Sequence, residues 1–482
     1  MRAARDPGKR RVAVALGGLL AFAGLRLLLA TRVGLGDDEA YYWHWAQRLD
    51  WSYFDHPGMV AWLIAASTAL WGDTPGAVRL PTWSLSLLTS GFLAAATLEL
   101  RGDGGRRGAA GPVLWALLLT QVPLLFVLAS VFAAPDAPML TAWAGATWLS
   151  LRALERGQPR PWVAVGGLLG LGLLSKHTAV LLGLGVLLAL LVHPAGRRQL
   201  RTPWPAVGAA LALLLWAPVL AWNLDQQGAS FRFHLGGRPG DAPGWMGPVA
   251  LFGSQLLMVG PAGVALLAGW RAPRPARAAL AGLGLPVLLV FAVTSPRVVP
   301  MMHWLAPAWL VCVPPAALWC GTRPRLAAAL LGLSGVPSAL LLLQAGTGLL
   351  PLPPQQDPTT DLVGWATVAE AVRDAESALG DAETAVVVAG RYQVAGQAAW
   401  ALRDAPTPVT RVTGRDDQYT LWTAPPLQDH VALVVEHDRY PFDPGAAGFR
   451  NCEPPRTVEV TRRQRVVRTA KVHTCRGYLT PK

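Results

Sequence analysis

Long runs of apolar residues, each near the length that crosses a bilayer, constrain this chain more than any other feature. Hydrophobic residues make up 52% of the 482 positions and charged residues 15%, whereas soluble domains carry about 25% charged residues. A membrane-spanning helix needs about 20 mostly apolar residues. Eleven such segments occur, at 12–30, 79–99, 111–131, 137–152, 162–175, 178–193, 204–221, 247–269, 277–294, 303–320 and 326–349. The sequence therefore predicts an α-helical polytopic membrane protein.

Three shorter apolar segments and the N-terminus refine this prediction. Segments 162–175 and 178–193 are short for a span, so the number of crossings could change by two. Segment 59–71 is shorter still and is predicted to be an interfacial helix. Residues 1–11 hold five basic residues ahead of the first apolar run. No small-residue cleavage site follows, so we expect a retained first helix instead of a signal peptide.

Basic residues concentrate in alternate loops. With the N-terminus inside, the cytoplasmic segments are 1–11, 100–110, 153–161, 194–203, 270–276 and 321–325, which hold most of the loop arginines. This is the pattern of the positive-inside rule, and it places the loop 31–78 outside. Eleven crossings then put the C-terminus outside as well. The net charge of +13 is spread over these short loops, which favours membrane topology and argues against a nucleic-acid partner.

The composition changes sharply after Pro351-Leu352-Pro353-Pro354. Residues 361–380 have helical periodicity, 384–389 and 430–436 are typical of buried strands, and 392–402 of a helix between strands. We therefore predict a transmembrane domain at 1–350 and a small extracytoplasmic α/β domain at 351–482. The second domain contains no glycine-rich phosphate loop and no nucleophile motif.

The four cysteines fall into two pairs. Cys312 and Cys320 lie in an apolar run and are predicted to be inert core thiols. Cys452 and Cys475 lie in the polar tail, where an extracytoplasmic location would allow a disulfide. Two free thiols are the alternative. The spacing of the cysteines matches no zinc motif.

Polar residues that are unusual beside apolar segments lie on the outer side of the predicted topology. They are Asp37, Asp38, Glu39, Tyr53, Asp55, His56, Asp136, Lys176, His177, Asn223, Asp225, Arg297 and His303. Acids and bases from separate loops on one face are typical of a functional site. Simple exposure to water explains Asp225. It fits poorly for Asp136, which lies between two prolines, and for Lys176, which lies between two apolar runs.

The residue types suggest separate chemical roles for the carboxylates, the basic residues and the aromatic residues. A carboxylate beside a second carboxylate has a raised pKa and can act as a general base on a hydroxyl or amine. Lysine, arginine and histidine can hold a phosphate that departs with developing negative charge. Tyr41, Tyr42, Trp43 and Trp45 could stack on a sugar or anchor the loop at the membrane interface. This chemistry favours transfer of a group from a phosphate-linked lipid donor to an outside acceptor.

Five motifs in order resemble one family. They are Asp38-Glu39-Ala40-Tyr41-Tyr42-Trp43 with Tyr53-Phe54-Asp55-His56-Pro57, then Ala134-Pro135-Asp136-Ala137-Pro138, Leu174-Ser175-Lys176-His177-Thr178-Ala179, Pro218-Val219-Leu220-Ala221-Trp222-Asn223 with Ala229-Ser230-Phe231, and His303-Trp304-Leu305-Ala306-Pro307. The set is similar to bacterial protein O-mannosyltransferases and aminoarabinose transferases, which are GT-C glycosyltransferases of the family 39 type. The resemblance covers residues 10–350 and continues weakly into the tail.

The resemblance implies a hexosyl or pentosyl transferase that uses a polyprenyl-phosphate-linked sugar and inverts its configuration. It assigns the catalytic acid to Asp38, with Glu39 and Asp37 beside it. Aminoarabinose transferases carry a lysine before proline to hold the donor phosphate, whereas this chain has His56. We predict that His56, Lys176 and Arg297 hold that phosphate. The remaining predicted substrate-binding residues are Tyr42, Tyr53, Asp55, Asp136, His177 and His303.

Several properties are left as alternatives by the sequence. The acceptor is a protein, lipid A or an envelope glycan, and the sugar is not specified. No cofactor is expected with certainty, no metal ligands are assigned, and a divalent cation stays open. The predicted location is the bacterial plasma (inner) membrane, with the active site outside. A lipid or sugar transporter or flippase is the second hypothesis, although it predicts inverted repeats and mid-span charges, which the sequence lacks.

Overall fold

The computed structural model describes residues 7–102, 108–236, 244–271, 274–380, 383–412 and 414–479. Parts of three predicted cytoplasmic segments, at 1–6, 103–107 and 272–273, lie outside this set. The chain forms two compact units. The helical unit comprises Met1–Leu28, His56–Val60 and Arg79–Leu341, and the composite unit comprises Leu29–Asp55, Ala61–Val78 and Leu342–Lys482. The domain boundary predicted at 350 lies close to the start of the last segment, but the composite unit also includes two N-terminal segments.

Helices make up most of the chain before residue 348. They are α1 (Pro7–Arg32), α2 (Asp37–Ala46), α3 (Met59–Trp71), α4 (Pro75–Arg101), α5 (Ala110–Leu119), α6 (Leu124–Val131), α7 (Asp136–Glu155), α8 (Pro161–Leu173), α9 (Val180–Val192), α10 (Pro194–Gln199), α11 (Trp204–Asp225), α12 (Ala229–Leu235), α13 (Met246–Met258), α14 (Ala262–Ala268), α15 (Arg274–Thr294), α16 (Ala306–Leu310), α17 (Val313–Thr322) and α18 (Pro324–Thr347). Each predicted apolar segment contains one or two α-helices, and turns interrupt the segments 111–131, 247–269 and 303–320.

Four helices are individually long and apolar enough to cross a membrane, namely α4, α11, α15 and α18. Three pairs separated by sharp bends raise the number to as many as seven. Shorter apolar helices include α3, α8 and α9. These helices give a multi-pass membrane protein, and the count of eleven crossings stays a prediction. With ten residues, α2 is too short to cross by itself.

The bend between α5 and α6 has a clear local cause. The helices meet at 73°, and Pro123 at the N-cap of α6 lacks the amide hydrogen needed to continue α5. Arg26, which is fully buried, donates a hydrogen bond to Gln121 in the break and another, of 2.7 Å, to Ser130 Oγ in α6. A buried charge in an apolar region must be satisfied by such partners. Arg26 therefore holds the bend in place.

Helices α8 and α11 of the helical unit cross at close range. A Cβ atom on Gly166 would lie 1.9 Å from the carbonyl oxygen of Gly208, and one on Gly208 would lie 2.2 Å from that of Trp162. Only glycine permits this approach. Small residues at a crossing are the usual means of packing helices in a membrane, because lipid supplies no hydrophobic drive for their association.

The tail contains a mixed sheet and three helices. The elements are α19 (Trp365–Ser377), β1 (Ala385–Ala389), α20 (Tyr392–Ala401), β2 (Val409–Arg411), α21 (Gln418–Leu421), β3 (Val431–His437), β4 (Phe449–Cys452), β5 (Arg456–Arg462) and β6 (Arg465–Tyr478). The strand order is β2-β1-β3-β6-β4, with β5 also paired to β6. The pairs β1–β2 and β1–β3 are parallel, and those made by β6 are antiparallel. The predicted α/β fold of the tail is confirmed.

Cys452 and Cys475 form a disulfide between β4 and β6. They lie directly opposite each other in the strand register, so their Cα atoms are 4.0 Å apart. Cys312 and Cys320 are free and buried, as predicted. The strand pairing thus brings together Cys452 and Cys475, for which the sequence allowed either a disulfide or two free thiols.

Replacing both Cys452 and Cys475 with serine should lower the free energy of unfolding of the tail by about 3 kcal/mol, because the bridge restricts the unfolded chain. Chemical denaturation, followed by tryptophan fluorescence in oxidised wild type, reduced wild type and the double variant, measures the effect. The reduced wild type and the variant should agree. Equal midpoints for oxidised and reduced protein would contradict the prediction.

Candidate active site

The three consecutive acids occupy the first turn of α2 in the composite unit. Negative charge is favourable at a helix N-terminus because of the unpaired amides and the helix dipole. Glu39 is 1% exposed, and its Oε2 accepts a hydrogen bond of 2.8 Å from the Gly36 amide. This bond closes the first helical turn. Glu39 therefore has a structural task, and Asp37 and Asp38 are the stronger candidates for chemistry.

Helix α20 of the tail packs directly on α2. Gly396 makes this possible, because a Cβ atom there would lie 2.9 Å from the Tyr41 amide nitrogen. Tyr392, at the start of α20, donates a hydrogen bond of 3.0 Å to Asp38 Oδ1. Burial and the negative charge of Asp38 raise the pKa of Tyr392, so its hydroxyl keeps its proton and acts as the donor. Asp38 itself is exposed.

Asp37 has a different environment from Asp38. The buried Gln397 side chain donates a hydrogen bond of 3.0 Å to Asp37 Oδ1. The pKa of Asp37 is raised from 3.8 to about 7, chiefly by burial and then by the negative charge of Asp361, with a smaller contribution from Asp38. The hydrogen bond from Gln397 and the positive charge of Arg468 act in the opposite direction. Two adjacent carboxylates thus differ in burial and in partner.

Asp37 should titrate near pH 7, and Gln397→Leu should move this midpoint upward, because the hydrogen bond to the charged form is lost. Infrared spectroscopy of the protonated carboxyl band between pH 5 and 9 measures it, and Asp37→Asn identifies the band. Gln393→Leu, on the same helix, is the matched control and should leave the midpoint unchanged. A wild-type midpoint near 4 would contradict the expectation.

The raised pKa of Asp37 also determines the direction in which folding stability changes with pH. The native state holds a proton on Asp37 between about pH 4 and pH 7, where the unfolded chain has lost it. Folding stability therefore falls as pH rises through this window, and Asp37→Asn should remove that part of the decline.

A second cluster of the composite unit fixes the loop that precedes His56. Asp55 accepts hydrogen bonds from the Tyr41 hydroxyl at 3.0 Å and from Arg415 Nη2 at 2.7 Å. The Tyr41 hydroxyl in turn accepts one of 2.7 Å from the Gln418 amide. These bonds join α2, the loop and the tail. Asp55 is buried, so its bonds secure the loop on the tail.

Tyr42 and Tyr53 lie in the core of the composite unit. Tyr53 is fully buried, its ring stacks on Trp45, and its hydroxyl accepts a hydrogen bond from the Asp50 amide. Tyr42 is 6% exposed and packs edge-to-face on the same Trp45. Their predicted substrate contacts stay predictions, and in this structure both tyrosines support the loop from within.

In the helical unit, Asp136 and Lys176 form a bidentate ion pair. Lys176 Nζ lies 2.8 Å from both carboxylate oxygens of Asp136, and His303 Nε2 lies 3.8 Å from one of them. Ser175 Oγ donates to the Pro135 carbonyl at 2.5 Å, which fixes the two loops together. Both members of the pair line a narrow cleft with Trp143, Phe291 and Trp304 among its walls. Three of the predicted site residues are therefore brought together.

Three histidines form a second group in the helical unit. His177 Nε2 lies 2.7 Å from Ser230 Oγ, and the ring centroids of His177 and His234 are 5.2 Å apart. The His56 ring lies 5.7 Å from that of His234. His234, which was not among the predicted site residues, lies between the two predicted histidines. Arg297 is exposed, and its side chain makes no hydrogen bond or ion pair within the described segments.

In the described part of the chain, no group of three or more histidine, cysteine, aspartate or glutamate side chains is placed to hold a metal ion.

Comparisons with known proteins found sequence matches over part of the chain. Residues 55–222 match the family model for dolichyl-phosphate-mannose-protein mannosyltransferases. The lipid A galacturonosyltransferase RgtD of Rhizobium johnstonii is 32% identical over 198 residues, which are 40% of this chain and 40% of that relative. Sequence similarity thus covers less than half of each protein.

Solved structures match over nearly the whole length. The apo structure of ArnT from Cupriavidus metallidurans has a TM-score of 0.65 at 16% identity and covers 97% of this chain and 98% of its own. The structure of the same protein bound to undecaprenyl phosphate also has a TM-score of 0.65, at 17% identity, over 96% of this chain and 97% of its own. At these identities the likeness establishes the fold. The resemblance predicted from the motifs thus finds support in sequence over residues 55–222, and the chain shares the fold of ArnT along nearly its whole length.

Proposed function

We propose that the protein is an inverting membrane glycosyltransferase that moves a sugar from a polyprenyl-phosphate donor to an extracytoplasmic acceptor. The proposal rests on the arrangement of Asp38. This carboxylate lies at the start of α2, is exposed, and accepts a hydrogen bond from Tyr392. Two facts support the donor class: the family match and the undecaprenyl phosphate bound in the ArnT structure.

The proposed reaction is a single displacement at the anomeric carbon. Asp38 accepts the proton of an acceptor hydroxyl, whose oxygen attacks that carbon from the face opposite the phosphate. The carbon–oxygen bond to phosphate breaks as the new bond forms, and polyprenyl phosphate leaves with the electron pair. The anomeric configuration is inverted, and the proton remains on Asp38 until it is released to water. Tyr392 orients the carboxylate.

Positively charged and neutral hydrogen-bond donors of the helical unit are suited to bind the phosphate of the sugar donor. Lys176 supplies a fixed charge, and a phosphate oxygen could take over one of the ammonium's bonds to Asp136. The histidines at positions 56 and 177 can donate ring N–H groups to a phosphate oxygen. Arg297 is exposed and has no side-chain partner among the described residues, so its guanidinium can take the same role.

The proposal specifies only the chemical class of the acceptor. RgtD is a lipid A galacturonosyltransferase by name, which favours a lipid A-type acceptor over a protein or an envelope glycan. A hexuronic acid would then be one candidate for the sugar, beside neutral hexoses and aminopentoses.

The proposed activity can be tested on the purified full chain in proteoliposomes. Undecaprenyl-phosphate donors with galacturonic acid, mannose or aminoarabinose are offered with lipid A, a protein extract or envelope glycan, and mass spectrometry detects the product. Transfer to one acceptor with an inverted linkage is the expected result. Movement of the donor lipid between leaflets without any glycosylated product would support the transporter instead.

The proposed orientation makes Cys452 and Cys475 reporters of location. Maleimide should label intact spheroplasts at these positions only after reduction, because the disulfide is expected on the outer side. Cys312 and Cys320 are buried. The Cys452→Ser/Cys475→Ser variant measures the background labelling that comes from these two residues. Labelling that requires permeabilisation would overturn the orientation.

A further inference from the structure

A two-residue turn closes the hairpin of β5 and β6 and has an unusual sequence. Arg462 pairs with Arg465, so Arg463 and Gln464 form the turn, with φ of 50° and 61°. Turns with two left-handed residues favour Asn-Gly, because longer side chains are disfavoured in that conformation. Local preference does not explain this pair. Contacts made by the side chains are the alternative explanation.

The turn is fixed to the C-terminal end of α18. Arg462 Nη2 donates to the carbonyl oxygens of Gln344 at 2.8 Å and Ala345 at 2.6 Å, and Arg463 Nε donates to that of Thr347 at 2.7 Å. The last carbonyls of a helix lack partners within it, and positive charge is favourable there. The two arginines therefore cap the helix. Because α18 is long and apolar enough to span a membrane, its last turn marks the membrane surface.

Large apolar side chains are exposed at this level. Leu349 and Leu352, just after α18, are 53% and 42% exposed, and Val466, just after the turn, is 43% exposed. Arg463 and Arg465 are also exposed, and neither forms an ion pair with any residue that the structure describes. We call these five residues the turn patch. It combines apolar side chains with unneutralised positive charge at the end of a spanning helix.

We propose that the turn patch binds the headgroups of anionic phospholipids in the membrane that α18 crosses. Apolar side chains enter the interfacial layer, and the arginines pair with phosphate, as in other basic segments beside a membrane. Residues 449–479 carry eight lysines and arginines against two glutamates. This imbalance favours anionic lipids over zwitterionic ones. A lipid contact also explains why arginine occupies a turn position that disfavours it.

Depth-dependent quenching in nanodiscs tests the contact on the full chain. Val466→Cys is labelled with a fluorophore, and the nanodiscs contain lipids with a nitroxide on the headgroup. Arg450→Cys is the matched control. It lies at the other end of the sheet, because Asn451 pairs with Arg476, and the strand rise puts it roughly 35 Å from position 466. Strong quenching at 466 and weak quenching at 450 are expected. Equal quenching at the two positions would overturn the proposal.

A second measurement tests the charge preference. The nitroxide is placed either on phosphatidylglycerol or on phosphatidylcholine, and the quenching ratio is compared for Val466→Cys with and without Arg465→Gln. Phosphatidylglycerol should be enriched near the turn, and losing one arginine should reduce that enrichment by up to about fivefold. Arg465 makes no side-chain hydrogen bond among the described residues, so the variant should fold normally. A ratio of one in the parent protein would exclude anionic headgroups as the partner.

Discussion

Replacing Asp38 with asparagine should reduce the rate of sugar transfer by at least about 100-fold, because the amide keeps the volume of the carboxylate but cannot accept the acceptor's proton. Asparagine can still accept the hydrogen bond from Tyr392, so the packing of α20 on α2 should survive. The measurement is the initial rate of product formation in proteoliposomes at saturating donor, with thermal unfolding as the check on folding.

Neighbouring variants make the Asp38 prediction specific. Tyr392→Phe should lower the rate far less than Asp38→Asn, because it removes an orienting bond and leaves the base in place. Glu39→Gln should mainly reduce stability, since Glu39 closes the first turn of α2. Near-normal transfer by Asp38→Asn would move the role of base to Asp37, whose pKa near 7 also suits that task.

Replacing Lys176 with methionine should abolish measurable donor binding and lower stability at the same time. The variant leaves the carboxylate of Asp136 without its ammonium, and removing one partner of a buried ion pair costs about 3–5 kcal/mol. Donor affinity is measured with a fluorescent polyprenyl-phosphate analogue, and stability by thermal unfolding.

The double variant Lys176→Met/Asp136→Asn separates binding from folding. It removes both charges, so much of the lost stability should return. Donor affinity should stay low if Lys176 holds the phosphate. Recovery of donor affinity along with stability would show that Lys176 only neutralises Asp136.

The apolar segments could be predicted from the sequence because their signal is local and repeated. Runs of about 20 apolar residues report a spanning helix whatever surrounds them, and the bends at positions such as Pro123 interrupt helices without hiding them. The strands β1 and β3 were equally visible as apolar runs. The strand β6 was not, since the buried Arg468 breaks the alternation that would have revealed it.

The hydrogen-bond partners of Asp37 and Asp38 could not be predicted, because nothing in the neighbouring sequence relates them to these acids. Tyr392 and Asp38 are 354 residues apart, and Gln397 and Asp37 are 360 apart. A glutamine or tyrosine in an amphipathic helix carries no signal of such a contact. The acids themselves were visible, as was Lys176 as an unusual charge, because charges beside apolar segments are rare.

The docking of α20 on α2 has a consequence for biosynthesis. Asp37 and Asp38 leave the ribosome early, whereas their partners in α20 follow more than 350 residues later. At about 5–20 residues per second, this delay lasts roughly 20–70 s. During that interval the nascent helices can insert into the membrane while the acids lack Tyr392 and Gln397. Under the proposed function, a chain that has not been completed would therefore carry its reactive carboxylates without the groups that orient them.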